Sequence, residues 1–224
     1  MRILICGAAG ILGAATRDCF LAAGHRLACI DREAGGTQAE GERWFPCPDL
    51  ADPQAAAASI AAAAEWLGGL DGVVQLVGAF DWMKVADSTL ADWRGLYRAN
   101  VETTLAVVQA CVPLMAGGGA IVTVGAASAA PAGTGMAPYA AAKSGVARLS
   151  EALASELAPQ GIRVNAVLPR VIDTPRNRQD MPDADPRDWT RPEAVASVIL
   201  FLAQPDSRAI NGASIPVTNP AGAS

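Results

Sequence analysis

Two tyrosines, Tyr97 and Tyr139, and two lysines, Lys84 and Lys143, stand in a chain of 224 residues that otherwise carries its positive charge on arginine. One of each meets in the segment Tyr139-Ala140-Ala141-Ala142-Lys143. On a helix, positions i and i+4 share a face, and the intervening alanines leave both heads unobstructed. A lysine ammonium about 5 Å from a phenol favours phenolate by roughly 3 kcal/mol at an effective dielectric near 20, which is about two pKa units. The spacing therefore predicts a tyrosine able to exchange a proton near neutral pH.

A second pattern supplies a place for an anion. Gly7-Ala8-Ala9-Gly10-Ile11-Leu12-Gly13 lies between a predicted strand and a predicted helix. Glycines there let the backbone turn tightly and approach a pyrophosphate, whose charge suits the helix N-terminus. Asp31 ends the second predicted strand, where a carboxylate can accept hydrogen bonds from an adenosine ribose. Arg32 beside it can stack on adenine or reach a phosphate. Asp49-Leu50 follows the third short strand, a suitable place to hold adenine. The Asp31 carboxylate would repel the extra phosphate of NADPH, so the expected cofactor is NAD(H), with NADP(H) possible through Arg32.

These residues need elements to position them. Hydrophobic patterning predicts strands over 2–6, 26–31, 43–46, 72–77, 119–125, 161–168 and 213–218. It predicts helices over 11–23, 53–67, 89–116 with a break near 98, 138–158 and 191–204. Such alternation predicts an α/β fold: a single doubly wound parallel sheet with helices on both faces, spanning residues 1–224 as one domain. The Pro- and Asp-rich stretch over 169–189 is too long for an ordinary connection and reads as a loop covering the substrate.

Composition narrows the function classes. The chain is 51% hydrophobic and 17% charged, unlike a disordered segment. Its net charge of -5 offers no basic footprint for nucleic acid, and no Lys/Arg cluster suggests an anionic membrane surface. A single histidine, His25, excludes a zinc site built on several histidines, and no metal is expected. Cys6, Cys19, Cys29, Cys47 and Cys111 form no C-x-x-C pair and read as buried thiols in a reducing cytoplasm. Met1 to Ala15 has the composition of a signal peptide, but its glycine spacing reads as strand, turn and helix. No later apolar run is long enough to predict a membrane span. The expected protein is cytoplasmic and acts on a small molecule.

With the glycine turn, Asp31, Asn100, Tyr139, Lys143, the run Ile162-Arg163-Val164-Asn165-Ala166-Val167-Leu168-Pro169 and Thr174, the chain resembles the short-chain dehydrogenases/reductases over nearly its whole length. The resemblance implies that the doubly wound sheet is a single Rossmann-type domain that transfers hydride between a nicotinamide and a substrate. Tyr139 would give or take the proton. Lys143 would bind the nicotinamide ribose and lower the tyrosine pKa. Asn100 would hold a water that links Lys143 to solvent. Gly78 would border the cofactor, and Pro169, Ile172 and Thr174 would bind the carboxamide. Pairing of the apolar helices near 100–116 and 138–158 would give a homo-dimer or homo-tetramer.

Three departures stand out. Gly7, Gly10 and Gly13 are evenly spaced, Leu76-Val77-Gly78-Ala79-Phe80 replaces an Asn-Asn-Ala-Gly stretch, and Ala126 stands where a serine usually helps polarise a carbonyl. These departures, with Asp173-Thr174-Pro175-Arg176-Asn177-Arg178 and Met181-Pro182-Asp183-Ala184-Asp185, are similar to the quinonoid dihydropteridine reductases. Against that group, Asn100 fits the common short-chain enzymes better, and Phe80 replaces a tryptophan. Phe80 would then line the substrate pocket; Trp82 either lines it or covers its mouth. Ser128 is a candidate to replace the missing hydroxyl. The alternatives are a general carbonyl or alcohol dehydrogenase and a non-catalytic nucleotide-binding protein.

Overall fold

The computed structural model describes residues 1–33, 35 and 39–220. Seven strands, β1 (Arg2–Cys6), β2 (Arg26–Asp31), β3 (Glu42–Pro46), β4 (Gly72–Gln75), β5 (Gly119–Val124), β6 (Ile162–Pro169) and β7 (Ser214–Val217), form one sheet in the order β3-β2-β1-β4-β5-β6-β7. Every pairing is parallel. The helices are α1 (Ile11–Ala22), α2 (Pro53–Leu67), α3 (Leu90–Tyr97), α4 (Thr103–Cys111), α5 (Ala137–Leu157), α6 (Pro175–Asp180) and α7 (Pro192–Ala203).

The continuous apolar run Ile3-Leu4-Ile5-Cys6 is wholly buried because both faces of a parallel sheet are covered. Successive side chains alternate faces. Leu4, Val73, Ile121 and Val164 pack in a core with residues of α2, α4 and α5, while Ile3, Ile5, Val74, Val122 and Val167 pack with residues of α1 and α7. Chain order reverses across β1 and β4, and the crevice at the carboxyl ends of such neighbours is where ligands bind in open α/β sheets. The doubly wound fold expected from the sequence is therefore the fold observed.

Helix starts follow local chemistry. Asp52 accepts the Gln54 and Ala55 N–H groups at the start of α2, and Thr89 forms a capping box with Asp92 on α3. Thr174 caps α6. By contrast α1 begins at Gly10 with no side-chain cap, so its first N–H groups are left for something else.

Several expectations are corrected. The break expected near 98 falls at a π-helical turn, Arg98–Glu102, between α3 and α4, but the helix expected to run to 116 ends at Cys111 and passes into a 3₁₀ turn at Val112–Leu114. The strand expected over 72–77 stops at Gln75, and Val77, Gly78 and Ala79 beyond it line the cavity described below. The stretch 169–189 is not a bare loop: it holds α6 and a 3₁₀ turn at Pro186–Asp188. Of the cysteines, Cys19 is half-buried rather than buried, and all five are free. Among the described residues, no helix is long and apolar enough to cross a membrane.

Candidate active site

The glycine turn leaves β1 and enters α1. Gly7 has φ of 83°, and a Cβ there would lie 3.0 Å from the Val77 nitrogen. A Cβ on Gly13 would lie 2.7 Å from the Ala8 carbonyl carbon, so only glycine lets α1 sit this close to the turn. Asp31 ties the turn to β2: one carboxylate oxygen accepts the Ala9 N–H at 2.9 Å, the other the Arg32 N–H at 2.8 Å.

Beside the turn lies a cavity of about 440 Å³, lined by Asp31, Arg32, Asp49, Leu50, Gly78 and Arg98 among others. The residues expected to meet adenosine thus share one wall. The sequence pattern gave no sign of Arg98, whose guanidinium pairs with both Asp49 oxygens, at 2.6 and 3.3 Å. That pairing holds the Asp49 carboxyl below its usual range. Arg98 opens the π-helical turn, which hydrophobic patterning does not distinguish from ordinary helix.

The same turn carries Asn100 into the core, where it is 1% exposed. Its Nδ2 donates to the Leu96 and Ala79 carbonyls at 2.9 and 3.0 Å. Its Oδ1 is buried without a hydrogen-bond partner in the structure. Lys143, 7% exposed on α5, donates from Nζ to the Val124 carbonyl at 2.9 Å. A Cβ on Gly78 would fall 2.5 Å from Asn100 Oδ1 and 2.9 Å from Lys143 Nζ. Asn100, Lys143 and Gly78 therefore converge on one spot. A buried acceptor without a donor costs free energy, and this one faces the spot where the family resemblance implies a water.

Tyr139 precedes Lys143 by one helical turn, and Phe80 packs on it edge to face at a centroid distance of 4.9 Å. Burial pushes the phenol up to about 12 and the Lys143 ammonium down to about 8. The expectation of a tyrosine tuned toward neutrality by Lys143 is corrected for this state. The phenol lies in apolar surroundings and the ammonium is directed at the Val124 carbonyl, so desolvation dominates both groups.

On the substrate side, Ala126 is buried and position 126 offers no hydroxyl. Ser128 lies two residues on, half-buried. Phe80 and Trp82 are each 54% exposed. The Trp82 indole donates to the Thr134 carbonyl at 3.0 Å and lies flush against Gly135, where a Cβ would approach its ring to 2.6 Å or less. Pro169 ends β6 and is buried, while Ile172 and Thr174 are half-buried where the 169–189 excursion begins.

A parallel sheet with its reversal at β1, an uncapped helix behind a glycine turn, an adenosine-sized cavity and a Tyr/Lys/Asn cluster define a dinucleotide-dependent oxidoreductase. The residues present fit NAD(P)(H): Gly7, Gly10 and Gly13 shape a cradle, the uncapped α1 N-terminus could take the diphosphate, and Asp31 lines the cavity where it could meet the ribose.

Comparison with known proteins agrees. The sequence matches the enoyl-(acyl carrier protein) reductase family over residues 7–219. It is 31% identical to D-threitol dehydrogenase of Mycolicibacterium smegmatis, covering 96% of this chain and 90% of that protein. It is 29% identical to meso-2,3-butanediol dehydrogenase of Serratia marcescens, covering 99% and 94%. A short-chain dehydrogenase/reductase structure from Burkholderia thailandensis superposes with a TM-score of 0.83 at 32% identity, over 96% of this chain and 90% of that one. The 3-ketoacyl-(acyl-carrier-protein) reductase of Brucella melitensis, solved with NADH, shares the fold at 22% identity and a TM-score of 0.88, over 99% and 98%. The chain belongs to the short-chain dehydrogenase/reductase family, and it is an NAD(P)-dependent oxidoreductase.

Proposed function

We propose that this enzyme uses NADH to reduce a flat, conjugated acceptor of the quinonoid dihydropterin type, with Tyr139 as proton donor. Alanine at position 126 carries the reading. Simple ketone reduction puts charge on one oxygen and gains from a second donor beside the tyrosine. A conjugated ring spreads that charge over several nitrogens and needs the donor less. Phe80 and Trp82 supply exposed aromatic surface suited to a flat ring, and the 169–189 excursion closes over it. The nicotinamide supplies the hydride. Lys143 orients the ribose and feeds protons to Tyr139, and Asn100 Oδ1 holds the water between Lys143 and solvent.

A second reading is favoured by the relatives, which are named as dehydrogenases of D-threitol and meso-2,3-butanediol. In it the enzyme oxidises an alcohol or reduces a carbonyl, with Ser128 or a water in place of the missing hydroxyl. A side-by-side rate comparison separates the two, using freshly generated quinonoid dihydropterin and a panel of ketones with NADH. Faster pterin turnover supports the first reading. Strong ketone turnover with no pterin activity establishes the second.

A further inference from the structure

A second cavity, of about 660 Å³, opens between Ile11 at the start of α1, Asp173 and Arg178 in the excursion, and Arg191 and Glu193 at the start of α7. Its charges are not equally committed. Arg178 grips Asp173 through two hydrogen bonds of 2.7 Å each. Glu193 sits in the first turn of α7, where the helix N–H groups favour a carboxylate. Arg191 forms no ion pair within 4 Å among the described residues, while it lies close enough to Asp173 to help lower that carboxyl. The cavity therefore holds one uncommitted guanidinium, and it borders the uncapped end of α1.

The backbone under Arg191 is fixed. Thr190 bridges to Ile172, donates its N–H to the Val171 carbonyl at 2.8 Å and accepts the Asp173 N–H at 2.9 Å. Its hydroxyl donates to the Val217 carbonyl at 3.3 Å. Trp189 and Thr190 before Arg191 and Pro192 after it are all buried. The anchored backbone fixes where the exposed Arg191 side chain sets out, at the edge of the cavity.

We propose that Arg191 binds the cofactor diphosphate, acting with the free N–H groups of the α1 N-terminus and joining the base of the substrate-covering excursion to the dinucleotide. This rests on the cofactor assignment above. The ligand chemistry is a dianionic diphosphate ester, which a planar guanidinium can meet with paired hydrogen bonds. Because Arg191 and Asp173 are joined through Thr190, an anion drawn to Arg191 also meets the wall that carries Thr174 and α6.

Calorimetric titration of wild type and Arg191→Ala with NADH, ADP-ribose and adenosine tests the proposal. Loss of a charge-assisted contact should weaken NADH and ADP-ribose about 10- to 100-fold and leave adenosine within about twofold. Arg191→Lys should recover part of the loss, since the charge remains without the planar fork. Unchanged ADP-ribose affinity in Arg191→Ala would overturn the proposal. So would an equal loss for adenosine, which would mark a general disturbance of the site. Wild type that binds neither NADH nor ADP-ribose would instead strike at the cofactor assignment itself.

Discussion

Lys143 lies in the core with its ammonium on one carbonyl, and its burial has a measurable pH signature. Folding lowers its pKa from the usual 10.5 to about 8. Between those values the unfolded chain binds more protons than the folded one, so this group's contribution to stability rises with pH across that window. The cost of burying the charge is fully present below pH 8 and gone above 10.5, up to about 3 kcal/mol. The buried thiols of Cys6, Cys29 and Cys111 are raised and pull the other way in alkali, so a paired comparison is needed. Urea denaturation should find Lys143→Met more stable than wild type at pH 7, with the gap narrowing toward pH 10. A gap independent of pH would show that Lys143 is not desolvated. Tyr139→Phe should keep NADH binding and lower turnover by about two to four orders of magnitude, measured as NADH oxidation in steady state. At this scale the sequence was readable where spacing alone decides, as with Tyr139 and Lys143. It was not readable where packing decides: nothing in the spacing shows Phe80 set edge to face on the Tyr139 ring or the ammonium turned toward Val124.

The π-helical turn at Arg98–Glu102 links the two ends of the site. It sends Arg98 to Asp49 at the adenosine cavity and Asn100 to Lys143 at the catalytic cluster. Insertions of this kind recur at functional sites because they re-aim side chains that a regular helix would leave elsewhere. Gly78 is the matching concession on the β4 side. Gly78→Ala should push Asn100 Oδ1 and Lys143 Nζ apart and lower turnover at least about tenfold, while a thermal melt shifts by only a few degrees. Wild-type turnover in that variant would mean the Asn100–Lys143 spot is not used in the reaction. Strand and helix order was legible from the alternation of apolar runs and glycine turns. The break near 98 was legible too, but not its π character, since a π turn differs from α-helix by one residue of hydrogen-bond register and leaves the apolar pattern nearly intact. The Asp49–Arg98 pair was hidden for a related reason: its partners are far apart in sequence and meet only through the parallel sheet and that turn.

Across the whole molecule, Leu105 on α4 and Tyr97 on α3 are exposed, and α5 turns the small residues Ala141, Ser144 and Ala152 outward. Small and apolar outward residues on adjacent helices suit close packing against a second copy about a two-fold axis. Light scattering at micromolar concentration should give a dimer or a tetramer built from two dimers; monomer alone would contradict this. Asp31, already holding the turn through Ala9, leaves a negative charge facing the adenosine cavity. Direct titration should therefore find NADH bound more tightly than NADPH, and equal affinities would show that Arg32 and Arg98 outweigh it. In the proposed reaction Tyr139 supplies the proton, and the alanine at position 126 sets the acceptor class. Its most direct test is the ketone turnover of Ala126→Ser against wild type with saturating NADH. Restoring a donor should raise ketone turnover about 100- to 1,000-fold, the range that one such donor supplies, and leave quinonoid dihydropterin turnover within about threefold. Ketone turnover that does not rise would contradict the assignment and show that another group already polarises the carbonyl.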